Sequence, residues 1–217
     1  MAANMAGLFI TFEGIEGCGK TTQIRLLEDF LKLRSHDVVL TREPGGTRIG
    51  DQIRKILLSV ENKGMFPVAE LFLYAAARNQ HVEEVIQPAL KDGRIVLCDR
   101  FADATTAYQG AARRIERDFL DQVHKIATSG LKPDLTILLD LPAEAGLKRA
   151  WDRNEKEKIT GKEDRFEQEA CDFHERVRAG YLEIAREEPC RVKVINALEP
   201  VDSVHQRIVQ EVMKIVK

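Results

Sequence analysis

Gly14-Ile15-Glu16-Gly17-Cys18-Gly19-Lys20-Thr21 is the stretch on which the reading of this chain turns. It satisfies the pattern G-x-x-x-x-G-K-[ST] in full. Residues 8–12, just before it, form an apolar run that reads as a buried strand. Ile24, Leu27 and Leu31, just after it, recur at helical spacing. That context suits an anion. Glycines let the backbone curl so that several N–H groups point at phosphate oxygens. The helix that follows turns its positive dipole end toward the same place. Lys20 is then expected at the β- and γ-phosphates of a nucleoside triphosphate, and the Thr21 hydroxyl on Mg²⁺. The bland alternative is a glycine-rich turn with no ligand. Cys18 reads as a small space-filling residue within the loop.

Working outward, short apolar runs alternate with amphipathic stretches. Residues 38–41, 95–98, 135–140 and 192–195 read as further strands. Residues 69–90 read as one long helix ending near Pro88 and Gly93, and Val204, Ile208, Val212 and Ile215 mark a last helix. Strands without polar alternation are buried on both faces, so the pattern predicts an α/β fold with a parallel sheet covered by helices on both sides. No repeat or low-complexity linker divides the chain, and a single domain over residues 1–217 is expected. Residues 152–164 (DRNEKEKITGKED) break the pattern. Their composition admits two readings, a solvated helix end or a mobile lid.

Bulk properties narrow the function. With 33 Lys+Arg against 35 Asp+Glu, the net charge is −2. Such a balance supports neither a nucleic-acid partner nor an anionic membrane surface. Cys18, Cys98, Cys171 and Cys190 form no CxxC pair and have no His at metal-ligand spacing, which argues against zinc and for a reducing, cytoplasmic setting. The first residues carry no basic flank and no long apolar run, so neither a signal peptide nor an anchor is expected.

The phosphate loop alone leaves a GTPase switch, a motor ATPase and a small-molecule kinase open. The single Asn-Lys, Asn62-Lys63, is followed by Gly64-Met65 and lacks the guanine-reading Asp, and the chain has no room for a motor's extra domain. Arg42, Arg48, Arg100 and Arg113 fall where loops should leave the C-terminal edge of the sheet, the edge that binds ligands in open α/β folds. Arginine's planar fork suits phosphate, so several arginines near one phosphate loop point to a second phosphorylated ligand.

At this point the chain resembles the thymidylate kinases, of the bacterial kind. The resemblance rests on FEGIEGCGKTT (12–22), TREPGGT (41–47), the Ala-Ala-Ala-Arg stretch ending at Arg78, CDR (98–100), TTAYQG (105–110), KPDLTILLDL (132–141) and DRFE (164–167). It implies a three-layer P-loop NTPase fold with a five-stranded sheet and a lid at about 150–165. It also implies transfer of the γ-phosphoryl of ATP to dTMP with Mg²⁺, in a homodimer. Residues Gly14 to Thr21, with Thr22, are implied at ATP. Arg100 is implied at the dTMP phosphate with Arg42 nearby, and Tyr74 on the thymine ring, where the family usually has Phe. Arg78 is implied at the thymine carbonyl, Thr105 at the base edge, and Tyr108 and Gln109 at the sugar wall. Glu16 is implied near the deoxyribose 3′-hydroxyl, and Asp99 at Mg²⁺. Because the phosphate loop lacks an arginine, the resemblance passes transition-state charge to Arg149, Arg153 or Arg165, beside Lys20 and Arg100. A kinase for another nucleoside monophosphate, and a nucleotide-binding regulator without catalysis, stay open as alternatives.

Overall fold

The computed structural model describes residues 7–156, 165–166 and 169–216, without the side chains of residues 153–156. In chain order the elements are β1 (Leu8–Glu13), α1 (Lys20–Lys32), β2 (Val38–Arg42), α2 (Arg48–Leu58), α3 (Pro67–His81), α4 (Gln87–Lys91), β3 (Ile95–Asp99), α5 (Ala102–Thr105), α6 (Arg117–Ala127), β4 (Leu135–Asp140), α7 (Ala143–Lys156), α8 (Cys171–Glu187), β5 (Val192–Asn196) and α9 (Val201–Val212). The sheet is parallel throughout, in the order β2-β3-β1-β4-β5. All five strands fall where the apolar runs place them. The central residues of β1, β3 and β4 are buried, as expected for strands covered on both faces. Neighbouring residues serve opposite faces: Phe9 and Val96 join Val82, Ile86 and Phe101 in one cluster, while Ile10 and Leu97 join Leu27, Leu31 and Ile208 in another.

The helix expected over 69–90 is three pieces. α3 runs into a wide π-type segment, Val82–Ile86, and then into α4, which has Pro88 in its first turn. Proline has no N–H to give and crowds the preceding carbonyls, so the helix must widen there. A second π segment, Thr106–Ala112, continues α5. It carries Tyr108 and Gln109, and such wide turns frequently occur at functional sites.

β1 is the middle strand, with β3 on one side and β4 on the other, so the chain's direction of travel across the sheet reverses there. The crevice beyond the strand ends at such a point is where α/β sheets take ligands. In register, Phe12 and Arg42 both lie opposite Asp99, and Glu13 lies opposite Leu138. The phosphate loop therefore leaves β1 flanked by Asp99-Arg100 and the end of β4.

Candidate active site

The phosphate loop bends through positive φ at Gly14, Gly17 and Gly19, with Gly19 as N-cap of α1. Gly17 has a second constraint. A Cβ there would lie 2.1 Å from the Gly146 carbonyl oxygen on α7, and a Cβ on Gly146 would lie 2.5 Å from the Glu16 carbonyl oxygen. Loop and helix thus meet backbone to backbone. Lys20 Nζ donates to the carbonyls of Gly14 and Ile15, each at 2.9 Å, and approaches Cys18 Sγ at 3.4 Å. Cys18 is buried inside the loop. Thr21 Oγ1 donates to Asp99 Oδ2 at 3.3 Å, and Thr22 is exposed beside it. A hydroxyl and a carboxylate at the loop suit Mg²⁺, which keeps waters and phosphate oxygens as its other ligands. No larger cluster of metal-ligating side chains occurs among the described residues.

Next to the loop lies a dense polar cluster. Arg100 has a left-handed backbone, φ 71°, an uncommon conformation for a non-glycine residue. From there Nη1 donates to the Gly14 carbonyl at 2.9 Å and the Tyr181 hydroxyl at 3.1 Å, and Nη2 donates to Glu16 Oε1 at 3.0 Å. The Tyr108 hydroxyl donates to the same Glu16 oxygen at 2.6 Å. Burial disfavours the charged form of Glu16. The Arg100 guanidinium, His174 and Lys20 outweigh it and hold this carboxyl well below the usual carboxylate range. Glu13, at the end of β1, accepts from the Phe101 N–H and the Tyr181 hydroxyl, each at 2.7 Å. There burial wins, with Asp103 adding repulsion, and the carboxyl is pushed up to about 7. Two carboxyls a few residues apart therefore differ sharply in acidity.

A second cluster surrounds Arg78, which is 2% exposed. Its Nε donates to Glu43 Oε2 at 2.7 Å, and Nη2 donates to the Phe101 carbonyl at 2.9 Å and Thr105 Oγ1 at 3.1 Å. Glu43 is held in turn by His81 at 3.0 Å, whose other ring nitrogen meets Thr41 Oγ1 at 2.6 Å. Gln109 Nε2 donates to the buried Glu70 at 2.7 Å. Tyr74 lies between Glu70 and Arg78 on α3, partly buried, its hydroxyl pushed up by burial and by Glu70.

The fold thus brings Glu16, Arg100 and Tyr108 together, and Arg78 with Thr105. Arg42 ends β2 with its side chain exposed. Arg149 is exposed and donates to the Ala197 carbonyl at 3.0 Å, beyond β5. Arg165 is 4% exposed; it donates to the Leu57 carbonyl and pairs with Glu70, both at 2.6 Å. The Arg153 side chain, and residues 157–164 within the segment expected as a lid, lie outside the described residues. Sequence reasoning missed Glu13, Glu43, Glu70, His81, His174 and Tyr181. One signal was available. Glu70, Tyr74, Arg78 and His81 recur at helical spacing along α3, a polar stripe facing inward.

The family model described as Thymidylate kinase matches residues 12–208. The chain belongs to the thymidylate kinase family. Among curated thymidylate kinases it is 58% identical to that of Geotalea daltonii over 196 residues, covering 90% of this chain and 92% of that relative. It is 54% identical to that of Desulfosudis oleivorans over 202 residues, covering 93% and 94%. The crystal structure of thymidylate kinase from Ehrlichia chaffeensis superposes with a TM-score of 0.76 at 33% identity, covering 95% of this chain and 99% of that one. Every motif quoted from the sequence lies within the matched span, and FEGIEGCGKTT begins at its first residue. Among the described residues no helix is long and apolar enough to cross a membrane.

Proposed function

We propose that this chain transfers the γ-phosphoryl group of ATP to dTMP, giving dTDP and ADP, a step in supplying dTTP for DNA replication. The observation that carries the reading is the Glu16–Arg100–Tyr108 cluster beside the phosphate loop, in a chain matched over most of its length by the family. Phosphoryl transfer demands alignment of two mutually repelling anions and neutralisation of charge between them. The loop amides and Lys20 hold the donor triphosphate. Lys20 now satisfies two loop carbonyls, and the β- and γ-phosphates replace them as its partners. Arg100 grips the acceptor phosphate and Arg42 adds charge from the neighbouring strand end. Thr21 and Asp99 would hold Mg²⁺, which would supply positive charge to offset that of the donor phosphates. A dTMP phosphate oxygen is already nucleophilic, so no general base is required.

Arg78 donates to the thymine carbonyl, with Thr105 at the base edge and Tyr74 against the ring. Tyr108 and Gln109 wall the sugar, and Tyr108 penalises a 2′-hydroxyl. Glu16 meets the 3′-hydroxyl. A lid at about 150–165 excludes water, the rival acceptor. At least one of Arg149, Arg153 and Arg165 steadies the transferring group, and single alanine substitutions should locate it by loss of turnover.

The chain works in the cytoplasm as a homodimer, on small-molecule substrates and without a nucleic-acid partner. The dimer reading is supported by an apolar face spread over α2, α3 and α6, where Ile49, Ile56, Val68 and Phe72 are exposed and Phe72 stacks edge-on to Phe119 at 6.2 Å.

The test is ADP release with dTMP, dUMP, dCMP, dGMP or AMP as acceptor. dTMP should give the highest kcat/KM by a wide margin. Preference for AMP or dCMP would overturn the assignment.

A further inference from the structure

His174, in the first turn of α8, takes no part in the roles above, yet it is wholly buried at the edge of the site. One ring nitrogen, Nε2, lies 3.0 Å from the Phe166 carbonyl oxygen. The other, Nδ1, lies 3.2 Å from Glu16 Oε2. One imidazole therefore spans from the Arg165–Phe166 turn to the phosphate loop. A carbonyl only accepts, so Nε2 carries a hydrogen. At the far side the approach is close but misaligned: neither Nδ1 nor Glu16 Oε2 makes a hydrogen bond, though both are buried. Leaving two such atoms unpaired is costly; a small shift would align them, and Nδ1 then donates to the carboxylate when it carries a hydrogen as Nε2 does.

Glu16's other oxygen is shared between Arg100 and Tyr108. The carboxylate is thus hydrogen-bonded on one side, by the substrate-facing cluster, and closely approached by His174 on the other. The Arg165–Phe166 turn is anchored to the same neighbourhood. The Phe166 ring meets the Tyr108 ring edge-on at 5.4 Å, and Arg165 is tied to Glu70. Displacing His174 would let the carboxylate rotate and carry the Arg100 guanidinium with it.

We propose that His174 is a positioning residue for the acceptor site. It fixes the Glu16 carboxylate against the Arg165–Phe166 turn, and through Glu16 it sets the place of Arg100 and Tyr108. The inference rests on the reading that this cluster faces dTMP.

Two conservative substitutions separate the ring's two ends. The amide nitrogen of Gln occupies the place of Nε2, and that of Asn the place of Nδ1. His174→Gln keeps the donor to Phe166 and loses the approach to Glu16; His174→Asn does the reverse. Steady-state kinetics should show KM for dTMP raised roughly tenfold in His174→Gln, with KM for ATP changed much less, and His174→Asn recovering part of the loss. In a Glu16→Gln background His174→Gln should add little, because the two residues act as one unit. Equal and independent effects in that cycle, or an unchanged KM for dTMP in His174→Gln beside a raised one in Glu16→Gln, would overturn the inference. An unchanged KM in Glu16→Gln itself would instead sink the acceptor reading of Glu16, and the inference with it. A measurement on the wild-type chain avoids any folding defect. Saturating dTMP should shift the ring-nitrogen resonances of His174 in ¹⁵N spectra and leave those of His36, in the loop before β2, in place. An unmoved His174 signal contradicts the proposal.

Discussion

Alanine at Gly146 tests how closely the phosphate loop depends on α7. The added Cβ would sit 2.5 Å from the Glu16 carbonyl oxygen and 2.8 Å from Ile15 Cδ1, where real Cβ atoms essentially never come within 3.0 Å. Ile15 Cδ1 is the end of a flexible side chain and can give way. The Glu16 oxygen is backbone, so the loop or the helix must move by roughly 0.5 Å, the gap between 2.5 and 3.0 Å. Overpacking of this kind costs about 1–3 kcal/mol. Replacing a helical glycine by alanine returns about 1 kcal/mol of helix propensity. The net loss of stability is then about 0–2 kcal/mol, which for a chain this size lowers Tm by at most about 8 °C. Activity should fall further than stability suggests. The displaced peptide is that of Glu16, between the two phosphate sites, and a misplacement of about 1 Å costs on the order of a hundredfold in rate. Half that displacement predicts a kcat lower by about tenfold. The assay is ADP release at saturating ATP and dTMP, beside a thermal melt of the same sample. A folded Gly146→Ala protein with kcat within about twofold of wild type would refute the reasoning.

Three more outcomes follow from the geometry. Arg78→Met should leave Glu43 buried without its guanidinium and destabilise the chain by about 3–5 kcal/mol in urea unfolding, with KM for dTMP rising; a loss below about 1 kcal/mol would contradict the burial argument. Glu13 titrates at about 7 in the folded chain, above its unfolded value of 4.5, because burial disfavours its charge. The folded state therefore holds the proton longer, so this group's contribution to stability falls as pH rises from about 4.5 to about 7 and is level above, a change on the order of 3 kcal/mol. Glu13→Gln should flatten that limb of the urea-midpoint profile. Glu16 has the opposite sign: its contribution is fully present above the ordinary carboxylate range and declines progressively as pH falls below that range, until the folded carboxyl too is protonated. Finally, Phe72→Asp places a charge in the exposed apolar face and should convert a homodimer to monomer in light scattering; an unchanged mass would move the interface elsewhere.

Much of this was legible in the sequence, for identifiable reasons. The strands were, because doubly covered strands are continuous apolar runs, and each observed strand either matches its run or extends it by one residue. The loop was, because its glycines, Lys20 and Thr21 are fixed by chemistry at fixed spacing. The π segments were not. Nothing in TTAYQG announces a wide turn, and Pro88 marks an interruption without saying that the helix widens through Val82–Ile86 instead of ending. The buried partners were not legible either. Glu43, Glu70 and Glu13 have no partner near them in sequence, and Arg78, Gln109 and Tyr181 arrive from elsewhere in the chain to meet them. Lone acidic residues carry no mark of burial, and only the inward stripe of Glu70, Tyr74, Arg78 and His81 gave a pattern. Arg149 shows the converse. The resemblance made it a candidate for the transferring group, whereas here its side chain donates to the Ala197 carbonyl.

The most direct test of the acceptor site is a crystal structure with dTMP and a non-hydrolysable ATP analogue. The account predicts the dTMP phosphate on Arg100, its thymine carbonyl on Arg78 and its 3′-hydroxyl near Glu16, with the triphosphate in the loop at residues 14–21. A dTMP molecule seated away from Arg100 and Arg78, with Glu16 still closed on Arg100 and Tyr108, would contradict it.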